Sequence, residues 1–126
     1  MTAIFIGYII LDSMGMRIVT GVDLIYLPRF KKAAKFGGEN FLRRVFLESE
    51  LKGNNQHLAG IFAAKEAVMK ALDLPKASWH NIQIIYKESG APEAKIVNYP
   101  VSIITSSLSI SHDGNYVIAQ FVSILK

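Results

Sequence analysis

Between positions 57 and 72 (HLAGIFAAKEAVMKAL) the apolar residues recur at helical spacing. Leu58, Ile61, Phe62, Val68, Met69 and Leu72 form a stripe broad enough for a core-facing helix. Gly53, Asn54 and Asn55 supply a turn with a ready N-cap, and Pro75 marks a stop just past the end. Upstream, 16–24 (MRIVTGVDL) is β-branched and apolar, the pattern of a buried strand. Asp23 arrives where that strand gives way, either as N-cap for the next helix or as a ligand; local sequence favours the cap. Pro28 suits the first turn of a helix running to about 36 and closed by Gly37 and Gly38, and a second helix is expected over 40–51. Beyond the central helix the period falls to two. The segment 79–86 (WHNIQIIY) alternates, 87–92 turns with Gly90 and Pro92, and 94–97 returns as the other arm of a hairpin. Short strands are expected at 101–104 and 108–111, then a tight turn at 112–115 (HDGN) and a last strand over 116–124. Helices in the first half and strands in the second predict an α+β fold, helices packed on an antiparallel sheet.

With 126 residues, 51% of them apolar, the chain suits one compact domain over 16–126, with 1–15 as an N-terminal extension or arm. The apolar excess points to surface covered by another subunit. Absence of cysteine removes structural disulfides and thiolate metal sites, and it fits a reducing cytoplasm. The apolar run 4–11 is short, ends at Asp12 and has neither a basic leader nor a small-residue cleavage site. It reads as a strand-like arm or upstream extension, Met14 and Met16 both being plausible starts, and no stretch is long enough to span a bilayer.

The net charge of +4 changes the picture only through its clustering. Arg29, Lys31, Lys32, Lys35, Arg43 and Arg44 make one basic zone, either an ordinary solvated face or a landing strip for an acidic partner. Phe30, Phe36, Phe41 and Phe46 are interleaved, at spacings that suit a helix core face better than base stacking, so nucleic acid is the weaker choice.

Two places carry candidate chemistry. Glu66 and Lys70 stand four apart and share one helix face. Hard carboxylate oxygen beside an ammonium suits magnesium and phosphate, although such a pair is also an ordinary solvated helix contact. Along 109–112, Ser109 and Ser111 alternate with Ile110 and His112, so the serines face one way and His112 the other. That placement does not make a Ser–His triad, and no second His or Cys stands at zinc-ligand spacing. His112 remains a structural hydrogen-bonder or a phosphate contact.

Taken together, 21–24 (GVDL), 62–72 (FAAKEAVMKAL) and 109–119 (SISHDGNYVIA) resemble the holo-[acyl carrier protein] synthase type of 4′-phosphopantetheinyl transferase. The likeness covers nearly everything from Met16 onward. It implies that fold and a reaction in fatty acid biosynthesis: transfer of phosphopantetheine from coenzyme A to a serine of an acyl carrier protein, releasing 3′,5′-ADP. It also implies that Asp23 and Glu66 hold Mg²⁺, that Lys70 neutralises the coenzyme A diphosphate, and that Lys65, Pro92, Ser111 and His112 lie near coenzyme A. Arg29 and Lys32 would dock the acidic carrier, and family members are homotrimers with active sites between subunits. The chain departs from the pattern in four places. Ile61 replaces the usual Arg, 72–78 (LDLPKAS) lacks the usual glycines, Ala91 replaces a Lys, and the helix before the Ser-x-Ser-His strand is shortened to 99–107. These departures keep open a divergent member with weak or lost coenzyme A binding; a small basic module for acidic partners is the reading from outside the family.

Overall fold

The expected buried strand forms in a computed structural model, which describes residues 7–10 and 15–126, as β2 (Arg17–Tyr26). It lies in an antiparallel four-stranded sheet of order β1-β2-β6-β5, with β1 at Gly7–Ile10, β5 at Ile103–Asp113 and β6 at Tyr116–Leu125. A second sheet pairs β3 (Ile82–Tyr86) with β4 (Pro92–Ile96). Two helices, α1 (Leu27–Val45) and α2 (Asn55–Leu72), complete the α+β architecture. β1 falls within the expected arm and extends the sheet beyond β2; residues 1–6 and 11–14 lie outside the described set.

The stripe read from sequence buries α2 more deeply than a surface helix. Ala59, Ala63, Ala64, Ala67 and Val68 are fully enclosed. Asn54 caps its start by accepting from the His57 amide at 3.0 Å. On the sheet side, Gly21 sets how near the helix comes. A Cβ built there would overlap the Ala67 carbonyl oxygen and lie 2.8 Å from the Ala71 amide nitrogen. Small residues on both surfaces thus bring helix backbone against strand backbone.

β2 and β6 pair in register from Arg17↔Leu125 to Tyr26↔Tyr116. A two-residue turn, with Gly114 at φ +56°, joins β5 to β6. Its Asn115 carbonyl accepts from the Leu27 amide at 2.7 Å and so ties the turn to the start of α1. Residues opposite one another across β2, β6 and β5 share a face. One face, carrying Val19, Gly21, Val117, Ala119, Phe121 and Leu108, is buried under α2. The other carries Val22, Leu24, Tyr26, Tyr116 and Ile118, all exposed, Leu24 at 60%.

Several boundaries differ from expectation for local reasons. β2 runs on to Tyr26, so Asp23 lies inside the strand and Tyr26 occupies the N-cap position without a side-chain cap. The two expected helices form one kinked element, broken where Gly38 takes φ 55°, ψ −145°. It ends at Val45 rather than 51, because Phe46 turns extended and a 3₁₀ turn follows at Glu48–Glu50. Phe30 and Phe46 are buried as expected of a core face, but Phe36 beside the kink is 76% exposed. Trp79 belongs to a 3₁₀ turn (Ser78–Asn81) ahead of β3. The two short strands expected over 101–111 are a single strand, β5, with a register shift between Ile103 and Thr105, and no helix forms within 99–107.

Because no side chain fits between β2 and α2 at Gly21, Gly21→Ala is expected to cost more than about 3 kcal/mol. A urea titration followed by circular dichroism checks this; a loss under about 1 kcal/mol would show that the helix can move off the sheet.

Candidate functional site

A cavity of about 610 Å³ opens between α1 and α2 beside the end of β2. Its apolar wall is Phe30, Phe41, Phe62 and Trp79, with Phe62 and Trp79 stacked at 5.2 Å between ring centroids. Its charged lining is Asp23, Glu66 and Lys70, joined by Arg29, Arg44 and Lys76. Four of the residues that sequence marks as metal, phosphate or docking candidates, Asp23, Glu66, Lys70 and Arg29, therefore share one cavity.

Lys70 does not pair with its helix neighbour Glu66. Its ammonium donates to Asp23 Oδ1 at 3.0 Å and to the Val22 carbonyl at 3.0 Å. The close approach at Gly21 makes this reach possible, since it holds β2 directly against the turn of α2 that bears Lys70. Asp23 Oδ2 is buried without a hydrogen-bond partner. An orphaned carboxylate oxygen of this kind needs an explanation, and a cation supplies one. Burial pushes the Asp23 carboxyl above its usual range, against the opposing pull of Lys70. Glu66 is also pushed up, first by burial and then by the Asp23 charge, with Lys70 and Lys76 partly offsetting it. Two carboxylates that feel one another beside an unsatisfied oxygen match the hard-oxygen donor set of Mg²⁺. Among the described residues no group of three or more His, Asp or Glu side chains stands together as a metal cage.

Lys65 is placed elsewhere. Its ammonium is fully buried and meets Glu50 at 2.6 Å, donating also to the Val45 carbonyl at 2.9 Å and the Trp79 carbonyl at 3.1 Å. Burial lowers its pKa, Glu50 opposing. Lys65, expected near coenzyme A, does not line the cavity and forms a core ion pair instead. Sequence carried the signal, since position 65 completes the apolar stripe, but nothing identified Glu50 as the partner.

Pro92 opens β4, and Ser111 and His112 lie near the end of β5; none of the three lines the cavity. The register sets Ser111 in a row with Ile118 and Leu24 on the uncovered face, and His112 with Val117 and Ile25 on the opposite one. Lys32 is exposed on α1, as are the other five cations of the basic zone. Ile61 is 1% exposed and lines a second cavity with Glu50, His57 and Tyr86. Ile61 therefore does not line the Asp23–Glu66 cavity, although its neighbour Phe62 does. Sequence reasoning missed the Asp23–Lys70 pair, the Val22 carbonyl and the aromatic wall, because all depend on how β2 and α1 pack on α2.

A model of the 4′-phosphopantetheinyl transferase superfamily matches residues 20–121. The holo-[acyl-carrier-protein] synthase of Thermodesulfovibrio yellowstonii is 40% identical over 109 residues, 81% of this chain and 94% of that protein. The crystal structure of the Helicobacter pylori holo-[acyl-carrier-protein] synthase in complex with coenzyme A is similar at TM-score 0.73 and 30% identity, over 82% of this chain and 98% of that one. The Bacillus anthracis synthase, in complex with CoA (3′,5′-ADP), is similar at TM-score 0.71 and 30% identity, over 85% and 96%.

The raised carboxyl of Glu66 makes a prediction whose sign can be worked out. Folded Glu66 holds its proton to higher pH than unfolded Glu66, whose ordinary value is 4.5. Stability from this group is present below that value and is lost as pH rises through the folded pKa. In metal-free protein, Glu66→Gln should therefore melt close to wild type near pH 4 and progressively higher than wild type as pH rises, then level off. Melting curves in chelator across pH check it; a difference independent of pH would remove the burial argument.

Proposed function

Because this chain belongs to the 4′-phosphopantetheinyl transferase superfamily, we propose that it moves the phosphopantetheine arm of coenzyme A onto a serine of an apo acyl carrier protein, with Mg²⁺ required and 3′,5′-ADP released. It is an enzyme of that transferase class. The observation that most supports the magnesium step is the orphaned Oδ2 of Asp23, a residue that lines one cavity with Glu66.

In the proposed reaction the serine oxygen bonds to the phosphorus that carries the pantetheine arm. The bond from that phosphorus to the leaving 3′,5′-ADP breaks, and the serine proton is lost. Such a transfer asks mainly for in-line positioning and for positive charge on the phosphoryl oxygens. Asp23 and Glu66 would hold the magnesium, which when bound supplies charge to the diphosphate oxygens. Lys70 lies beside them to add its own charge. Arg29 lines the same cavity from α1, and Lys32 is exposed on that helix, so a carrier docked on α1 would bring its serine to the cavity. An acidic partner fits the six exposed cations.

The same reading includes a homotrimer acting in the cytoplasm. Two observations support assembly. The face bearing Val22, Leu24, Tyr26, Tyr116 and Ile118 is apolar and uncovered. Pro92, Ser111 and His112, the remaining expected coenzyme contacts, lie off the cavity, where they could serve the cavity of a neighbouring copy. Among the described residues no helix is long and apolar enough to cross a membrane.

Incubation with apo carrier, coenzyme A and Mg²⁺ should add the mass of one phosphopantetheine to the carrier, read by intact-mass spectrometry. Chelation should remove the gain, and Glu66→Gln should abolish it while the fold is kept. No gain across several carriers would overturn the transfer. In light scattering, Ile118→Glu should convert a trimer to monomers and lose transfer with it; a wild-type monomer would instead end the assembly reading.

A further inference from the structure

Lys70 has a feature that charge neutralisation on a diphosphate does not require. Its ammonium is already engaged, and its partners are strand groups: the carboxylate of Asp23 and the carbonyl of Val22, both at 3.0 Å. Both sides of the pair are largely buried, the side chains being 15% and 13% exposed. Glu66, one turn back on α2 and nearer in sequence, is not the partner in this ion pair.

We propose that Lys70 is the resident cation of this site: it occupies Asp23 while no metal is bound and is drawn off by the coenzyme diphosphate, so that metal and coenzyme bind as a coupled pair. This rests on the reading of the cavity as a magnesium and coenzyme A site. The ammonium satisfies Asp23 Oδ1 and leaves Oδ2 orphaned. The Asp23 carboxylate is thus half satisfied, with one oxygen held by Lys70 and the other open, while Glu66 feels Lys70 and Lys76 without an ion pair to Lys70. A divalent ion arriving alone meets a positive charge seated on one of its own ligands, so its affinity is low. Coenzyme A supplies a stronger anion within reach of the same flexible four-carbon stem. When Lys70 turns to that anion, Asp23 is freed for the metal, and each ligand improves the site for the other by one factor, as linkage requires. The arrangement guards against a metal ion held without substrate and sets Lys70 on the diphosphate only when the carboxylates have another partner.

Mn²⁺ titrated into the full chain and counted by electron paramagnetic resonance, with and without coenzyme A, tests this. Wild type should bind Mn²⁺ weakly alone and more tightly with coenzyme A. Lys70→Met should tighten Mn²⁺ binding in the absence of coenzyme A by about tenfold, and the tightening that coenzyme A adds should shrink by a similar factor. Lys70→Gln, which keeps a donor for the Val22 carbonyl but no charge, should behave likewise and guards against a folding defect in the methionine variant. Unchanged Mn²⁺ affinity in both variants overturns the proposal. So does an equal gain with and without coenzyme A, which would mean that Lys70 only repels the ion and does not move. The transfer assay on wild type separates the two levels. Transfer with no variant effect on Mn²⁺ removes the resident cation alone, whereas wild type that binds no Mn²⁺ even with coenzyme A removes both.

Discussion

The ion pair between Lys65 and Glu50 is the constraint on which the cavity depends. Both side chains are out of reach of water, and every polar atom has work to do. Glu50 Oε1 accepts from the Leu47 amide at 2.7 Å, and its Oε2 accepts from the Ile84 amide at 2.8 Å. Lys65 meets that same Oε1 and reaches the carbonyls of Val45 and Trp79. One pair thus joins the end of α1, the 3₁₀ turn after it, α2, the turn holding Trp79 and the start of the small sheet. Burying two charges is costly, and it is tolerable here because the lysine has three acceptors and the glutamate three donors. Removing one partner leaves the other charged and dry, at a cost of about 3–5 kcal/mol. The cavity between α1 and α2 needs that anchor, since α1 is otherwise interrupted at Gly38 and carries an exposed basic face.

This explains what could be read from the sequence. The apolar stripe and the Asn54 cap placed α2 correctly, and the alternating segments placed the hairpins, because periodicity and capping are local. Gly21-Val22-Asp23 and Phe62 through Leu72 also carried the family likeness, since those positions hold the carboxylates and the lysine. What sequence did not carry was partnership. Lys70 stood four residues from Glu66 and looked paired with it, but the strand brought against α2 offers Asp23 instead. Asp23 resembled a helix cap because nothing local shows that β2 continues to Tyr26; pairing with β6 extends it. Lys65 was placed near coenzyme A by the family likeness alone, and its ion pair stayed hidden because Glu50 lies fifteen positions upstream in a turn with no strong pattern.

The chain divides the expected coenzyme residues between two regions. The carboxylates, Lys70 and Arg29 gather at one end of the helix pair, while Pro92, Ser111 and His112 lie off their cavity on β4 and β5. The sheet between them exposes a row of large apolar side chains on the side away from α2. Solvent is a poor environment for that face, and the proposed assembly would cover it.

The segment after α2 has a further consequence. Asp73 closes the helix in the left-handed conformation at φ 52°, and the Leu74 amide is spent on Met69 at 3.0 Å. Pro75 fixes its own φ, and the Ser78 amide returns to the Pro75 carbonyl at 3.1 Å, with Ser78 buried. A glycine-rich loop would meet its ligand as an ensemble and lose conformational entropy on contact. Two backbone hydrogen bonds and a proline leave this loop less entropy to lose, so a ligand lying along Lys76 would meet a nearly fixed edge. Under the proposed transfer, a molecule whose phosphates matched that edge would bind with little ordering left to do, and one that did not match would meet a stiffer backbone. Discrimination among donors would then come from stiffness in the backbone rather than from any added contact.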